Sequence, residues 1–247
     1  MRTPVEPALT PSGGSPWRAR RVDPNHRLGL RLTVAAVAAF LVLVPFGLLA
    51  VLIAGEWAPL HRMDQSVTNA VHSGMVGEPG PVLAMKIWCY VFDPNTLRLA
   101  ALVLVIWLIR RRARRMALWV TTTMVAGGLL GPLFKLLIGR HRPALLDPVA
   151  RAAGYSFPSG HALNVALAAG VFLLVLLPLL RRRQRALLWV AAVVAVVVTG
   201  FCRIALGVHW TSDVVGGWVL GLAVVAATAA TFATWRHPAR VEMFPPG

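Results

Sequence analysis

Six stretches of the chain, at 32–54, 82–109, 116–138, 161–180, 186–206 and 210–234, are apolar with few interruptions. A helix rises about 1.5 Å per residue, so about 20 residues cross a hydrocarbon layer about 30 Å thick, and each stretch is long enough to do so. Inside lipid every backbone N–H and C=O must be satisfied within the protein, and continuous runs of this length meet that demand as helices. The expected fold is all-α: a polytopic membrane protein of six transmembrane helices. The second stretch is the least regular, because Lys86 and Asp93 interrupt it and Pro94 kinks or restarts its helix.

What lies between the runs leaves no room for a sizeable soluble domain. Positions 1–30 are rich in Pro, Gly, Ser and Arg, the composition of a disordered basic tail. The membrane domain is expected over 31–235, followed by a short tail at 236–247. Residues 55–81 read as a polar loop carrying Glu56, His61, Arg62, Asp64, His72 and Glu78. The net charge of +16 would suggest nucleic acid in a soluble chain, but here the basic residues punctuate apolar runs and form no continuous patch, so no nucleic-acid partner is expected. Two cysteines, Cys89 and Cys202, build neither a disulfide framework nor a cysteine-rich metal site and are expected to be free thiols.

Arginine sets the expected orientation. Arg110, Arg111, Arg112, Arg114 and Arg115 follow the second run, Arg181, Arg182, Arg183 and Arg185 the fourth, and Arg236 and Arg240 the sixth. With six spans, these segments and the basic N-terminal tail fall on one side, which the positive-inside rule assigns to the cytoplasm. Both termini are then cytoplasmic. The 55–81 and 139–160 segments and the turn near Gly207 face outward from the plasma membrane. Trp57, Trp88 and Trp210 lie where interfacial anchors are expected.

Three polar clusters sit at the outward ends of the runs, where charged residues are costly unless they pair or work. In the first, Lys135 and Arg142 are separated by nearly two helical turns, so both would project from one face of the third helix, which Pro143 would stop. Snorkelling at a helix end would explain this pair if it stood alone. Arg140 and His141 read as solvated interface residues.

The second cluster, Pro158-Ser159-Gly160-His161, opens an apolar helix. Serine is a favoured N-cap, glycine allows close backbone approach, and the unpaired amides and helix dipole favour an anion such as phosphate. His161 on the first turn is placed to protonate a leaving oxygen. A capped helix with an interfacial histidine is the plainer alternative. In the third cluster, His209 and Asp213 are four residues apart, so a helix starting near His209 would let the carboxylate receive one imidazole N–H and leave the other nitrogen free to attack. Arg203 would reach over Gly207 to the same phosphate. Two such ligands fall short of a hydrolytic metal centre.

Lys-x6-Arg-Pro, Pro-Ser-Gly-His and Arg-x5-His-x3-Asp, in this order over roughly 97–225, resemble the type-2 phosphatidic acid phosphatase superfamily. That family includes bacterial integral-membrane lipid phosphatases and the vanadium haloperoxidases. The resemblance implies a helical-bundle catalytic core in which Lys135, Arg142 and Arg203 neutralise phosphate oxygens and Ser159 and Gly160 donate hydrogen bonds. It also implies that His161 is the general acid and that His209, oriented by Asp213, forms a phosphohistidine. Cys202 stands where the family's third motif usually has serine, a change expected to tune the pocket. No cofactor is expected, since three cations neutralise the phosphate.

The implied activity is hydrolysis of a lipid phosphomonoester or diphosphate. A polyprenyl diphosphate such as undecaprenyl diphosphate is the first choice, followed by phosphatidylglycerophosphate or phosphatidic acid. The bilayer and the lipid phosphate are then its partners. A catalytically silent lipid-phosphate binding or scaffold protein is the alternative, but every main catalytic position is filled. A haloperoxidase is disfavoured by six apolar spans. Lys86 and Asp93 read either as an ion pair or as separate interfacial charges, and Asn164 as a contact to a neighbouring helix.

Overall fold

The computed structural model describes residues 40–145 and 148–234. The predicted tails at 1–30 and 236–247, with Arg236 and Arg240, and the start of the first predicted span at 32–39 lie outside the described residues. The elements are all helical: α1 (Phe40–Ala54), α2 (Ala58–Ser73), α3 (Pro79–Val91), α4 (Pro94–Arg110), α5 (Arg114–Ile138), α6 (Gly160–Leu176), α7 (Arg182–Ala205) and α8 (Thr211–Thr234). Among the described residues, five segments are long and apolar enough to cross a membrane: α3 with α4, α5, α6 with its 3-10 extension to Leu179, α7 and α8. The bent pair α1 and α2 raises the number to six. Asp93 separates α3 from α4, and its carboxylate caps α4 by accepting from the Asn95 amide at 2.8 Å.

Helix α6 is the axis of the bundle, buried continuously from Ala162 to Ala168 and packed against α4, α5, α7 and α8. Lipid provides no hydrophobic drive between helices, so close packing of small residues must hold them. Two glycine pairs at four-residue spacing supply it. On α5, a Cβ on Gly127 would lie 2.2 Å from a Leu167 methyl, and one on Gly131 2.8 Å from Leu163. On α8, a Cβ on Gly217 would meet the Ser159 carbonyl at 2.7 Å and Ala162 at 2.9 Å, and one on Gly221 would meet Ala166 at 2.8 Å and the Leu163 carbonyl at 2.9 Å. The α6–α8 contact is therefore almost backbone to backbone.

The predicted 55–81 loop is a correction. Its centre is α2, which leaves α1 at 92° and lies across the ends of α7 and α8. Its buried residues are Asp64, Thr68 and His72, one stripe at four-residue spacing, while Met63 and Val67 are exposed. A search for apolar stripes passes over this helix, because the stripe that it buries is polar. Trp210 is also buried, its Nε1 donating to the His141 carbonyl at 3.0 Å, so it anchors a loop and not the bilayer interface. Trp57 is half exposed, as an interfacial anchor should be.

Replacing Gly221 by Ala forces a methyl against backbone and should cost about 1–3 kcal/mol. Gly80→Ala, where nothing lies within 4 Å, is the matched control. Thermal unfolding in detergent should separate the two, with only Gly221→Ala shifted downward; equal midpoints would show that the α6–α8 contact has slack.

Candidate active site

The clusters meet where the ends of α5, α7 and the beginnings of α6 and α8 converge. Helix α5 stops at Ile138, and Gly139 takes the left-handed cap conformation at φ 64° that glycine adopts freely. Arg142 therefore stands in the non-helical segment beyond, which corrects the expectation that it shares a helix face with Lys135. The two converge nonetheless. Lys135 Nζ donates to the Tyr155 carbonyl at 2.6 Å, and Arg142 donates to the carbonyls of Ala153, Gly154, Tyr155 and Val208 at 2.6–3.3 Å.

Ser159 is the N-cap of α6, yet its hydroxyl makes no cap hydrogen bond and is buried without a partner. Its amide donates to the Asp213 carbonyl at 2.9 Å, tying the start of α6 to α8. The space over Gly160 is open, with nothing within 4 Å of where a Cβ would be. Arg203, in the last turn of α7, has a buried Nε that likewise lacks a partner. Two buried polar groups without a protein partner are costly, and an anion that accepted from both would satisfy them.

Helix α8 starts at Thr211, two residues later than His209 requires for a shared helix, so the His209–Asp213 contact spans its entrance. His209 Nδ1 lies 3.3 Å from Asp213 Oδ2, which also accepts the Trp210 amide at 2.9 Å. With Nδ1 donating, Nε2 is the free acceptor and receives Arg142 Nη1 at 3.1 Å. Burial, reinforced by the charges of Arg203 and Arg142 against the opposing pull of Asp213, lowers the His209 pKa to about 3. The Arg142 pKa is also lowered, first by burial and then by the Arg203 charge.

His161, in the first turn of α6, has Nε2 3.7 Å from Asp93 Oδ2. Asp93 therefore does not pair with Lys86, which is exposed. Asn164 bonds back to the Gly160 carbonyl of its own helix at 2.8 Å and not to a neighbouring one. Cys202 is a buried free thiol next to Cys89 and Arg203.

Arg140 is the largest correction, since its side chain is only 11% exposed and is held by protein partners instead of solvent. Its Nη1 donates to Asp213 Oδ1 at 2.7 Å and to Ser212 Oγ at 2.6 Å, and its Nη2 to Asp64 Oδ2 at 2.7 Å. His141, between the two arginines, is exposed as expected. None of Arg140, Asp64, Ser212 and Asp93 was assigned to the site from the sequence. The polar stripe Asp64, Thr68, His72 could have pointed to Asp64.

Fold and site together define a multi-pass helical membrane protein with Lys135, Arg142 and Arg203 gathered around a His–Asp pair. Residues 116–237, about half of the chain and containing all three motifs, match the PAP2 superfamily. The chain is 32% identical over 139 residues to the undecaprenyl-diphosphatase of Sulfolobus acidocaldarius, covering 53% of this chain and 59% of that protein. It is 41% identical over 97 residues to phosphatidylglycerophosphatase B of Bacillus subtilis, covering 38% and 47%. A lipid A 1-phosphatase of Rhizobium etli is 33% identical over 138 residues, covering 49% and 56%. The matches thus span about half the length of these relatives. The crystal structure of a transmembrane PAP2-type phosphatidylglycerolphosphate phosphatase from Bacillus subtilis shares the fold, with a TM-score of 0.70 over 82% of this chain and 98% of that one at 24% identity.

The sign of the His209 shift gives a stability test. The folded protein excludes a proton that the unfolded imidazole takes up near 6.5, so its contribution is intact above 6.5 and is lost as pH falls from 6.5 towards 3. Thermal midpoints across this window should fall more steeply for the wild type than for His209→Asn. Identical slopes would mean that the folded imidazole is already protonated.

Proposed function

We propose that this chain hydrolyses a lipid phosphate or diphosphate through a phosphohistidine on His209. The observation that carries the proposal is the convergence of Lys135, Arg142 and Arg203, with the unpartnered Ser159 hydroxyl and Arg203 Nε, on a histidine whose far nitrogen is held by Asp213. His209 Nε2 attacks phosphorus, and the bond from phosphorus to the lipid oxygen breaks. His161 gives its proton to that oxygen. The imidazole becomes cationic as the N–P bond forms, and the Asp213 carboxylate stabilises it. Neutral His161 then takes a proton from water, whose oxygen displaces His209 and releases inorganic phosphate. The amides and hydroxyl at Ser159–Gly160 and the three cations hold the phosphoryl oxygens throughout.

A polyprenyl diphosphate is the first choice of substrate. The curated archaeal relative named an undecaprenyl-diphosphatase supports it, while the Bacillus phosphatidylglycerophosphatase B keeps phosphatidylglycerophosphate next, with phosphatidic acid beside it. We place the pocket on the extracytoplasmic face and both termini in the cytoplasm. The arginine-rich turns at Arg110–Arg115 and Arg181–Arg185 support this, since α5 separates Arg114 from Lys135 by roughly 30 Å.

Purified wild-type protein should release phosphate from at least one of these lipids in the presence of EDTA, and well-folded His209→Ala should not. Complete loss of wild-type activity on chelation would overturn metal independence. Near-normal turnover by His209→Ala would overturn the nucleophile, and absence of turnover on every lipid would favour a silent binding protein.

A further inference from the structure

We infer that Asp64 on α2 and Arg140 are positioning residues for the His209–Asp213 pair, which makes α2 a working part of the site; this rests on the phosphatase reading above. The two oxygens of Asp213 have separate partners. Oδ2 faces His209 Nδ1 and the Trp210 amide, while Oδ1 accepts from Arg140 at 2.7 Å. Arg140 therefore sets the rotation of the carboxylate that orients the imidazole. Arg140 is itself held on the far side by Asp64 and lies over the Trp210 ring at 5.6 Å. Asp64 also accepts the Ser212 amide at 2.9 Å and the Ser212 hydroxyl, so it pins the first turn of α8 beside Asp213. Asp64 and Asp213 are fully buried.

The charges explain why a second carboxylate belongs there. Two carboxylates around one guanidinium leave one negative charge in excess at rest. When the N–P bond forms and His209 becomes cationic, the cluster becomes neutral, so the resting excess favours the charge that develops during the reaction. Without Asp64, Arg140 would neutralise Asp213 before the imidazole could use it. The hydrogen bonds of Asp64 go to Arg140 and Ser212, not to Lys135, Arg142, Ser159 or Arg203. Its loss should therefore slow chemistry and spare binding.

The test compares wild type, Asp64→Asn, Asp64→Glu and Arg140→Lys in detergent, with a soluble short-chain lipid phosphate as substrate and inorganic phosphate as competitive inhibitor. Asp64→Asn and Arg140→Lys should lower kcat by about 10–100-fold. KM and phosphate inhibition should stay within about two-fold of wild type. Asp64→Glu should recover part of the lost kcat. If Asp64→Asn does not fold, folded Arg140→Lys with unchanged kcat overturns the inference and with lowered kcat supports it. A loss carried by KM would also overturn it, as would unchanged kcat in folded Asp64→Asn. An active wild type beside unaffected variants defeats this inference alone, whereas an inactive wild type defeats the phosphatase reading and this inference with it.

Discussion

The backbone contact between α6 and α8 is the constraint on which the site depends. Helices packed through ordinary side chains lie about 8–10 Å apart, and small residues at the contact bring them to the close end of that range. Gly217 and Gly221 against Ala162 and Ala166 do this here, and the outcome at the pocket is direct: the Ser159 amide bonds the Asp213 carbonyl. The loop that would receive phosphate and the carboxylate that orients His209 are thereby one rigid unit. Leu163 and Leu167, seated in the notches left by Gly131 and Gly127, attach the end of α5 to the same axis.

On this frame the protein assembles like charges that repel at rest. Lys135, Arg142 and Arg203 feel one another's fields in a partly desolvated space, and burial adds to the cost for Arg142. Carbonyls of the 153–155 segment and Val208 offset part of this for Arg142. The Ser159 hydroxyl and Arg203 Nε have no such relief. An anion that accepted from both and neutralised the cations would restore what folding left unsatisfied, so the proposed affinity for phosphate and the resting strain are two views of the same arrangement.

The span pattern and the three motifs stand out in the sequence because hydrocarbon makes both apolar length and polar exceptions conspicuous. Geometry was less so. Lys135 and Arg142 meet, but Gly139 ends the helix between them, so the helical spacing that suggested their meeting is not its cause. His209 and Asp213 meet across a helix entrance and not along a helix. Helix α2 hid because its buried stripe is polar, a pattern that becomes intelligible only when Arg140 and Ser212 supply its partners. Asp64 and Ser212 are 148 positions apart, and nothing local in either segment announces the other.

The two histidines are separated in environment as well as position, and this divides the proposed labour. His209 is buried between Asp213 and Arg142, which leaves its tautomer little freedom. The His161 side chain is 17% exposed and faces a carboxylate, Asp93, that is 35% exposed at the break between α3 and α4. An in-line displacement puts the attacking and leaving atoms on opposite sides of phosphorus. With attack from His209, the lipid oxygen departs on the His161 side, where the break at Phe92 and Asp93 interrupts the apolar wall of the Pro79–Arg110 span. In the proposed mechanism this difference has a physical use: His161 as acid would take a proton back from water in the second step, whereas water near His209 would compete with the phosphoryl group for its lone pair.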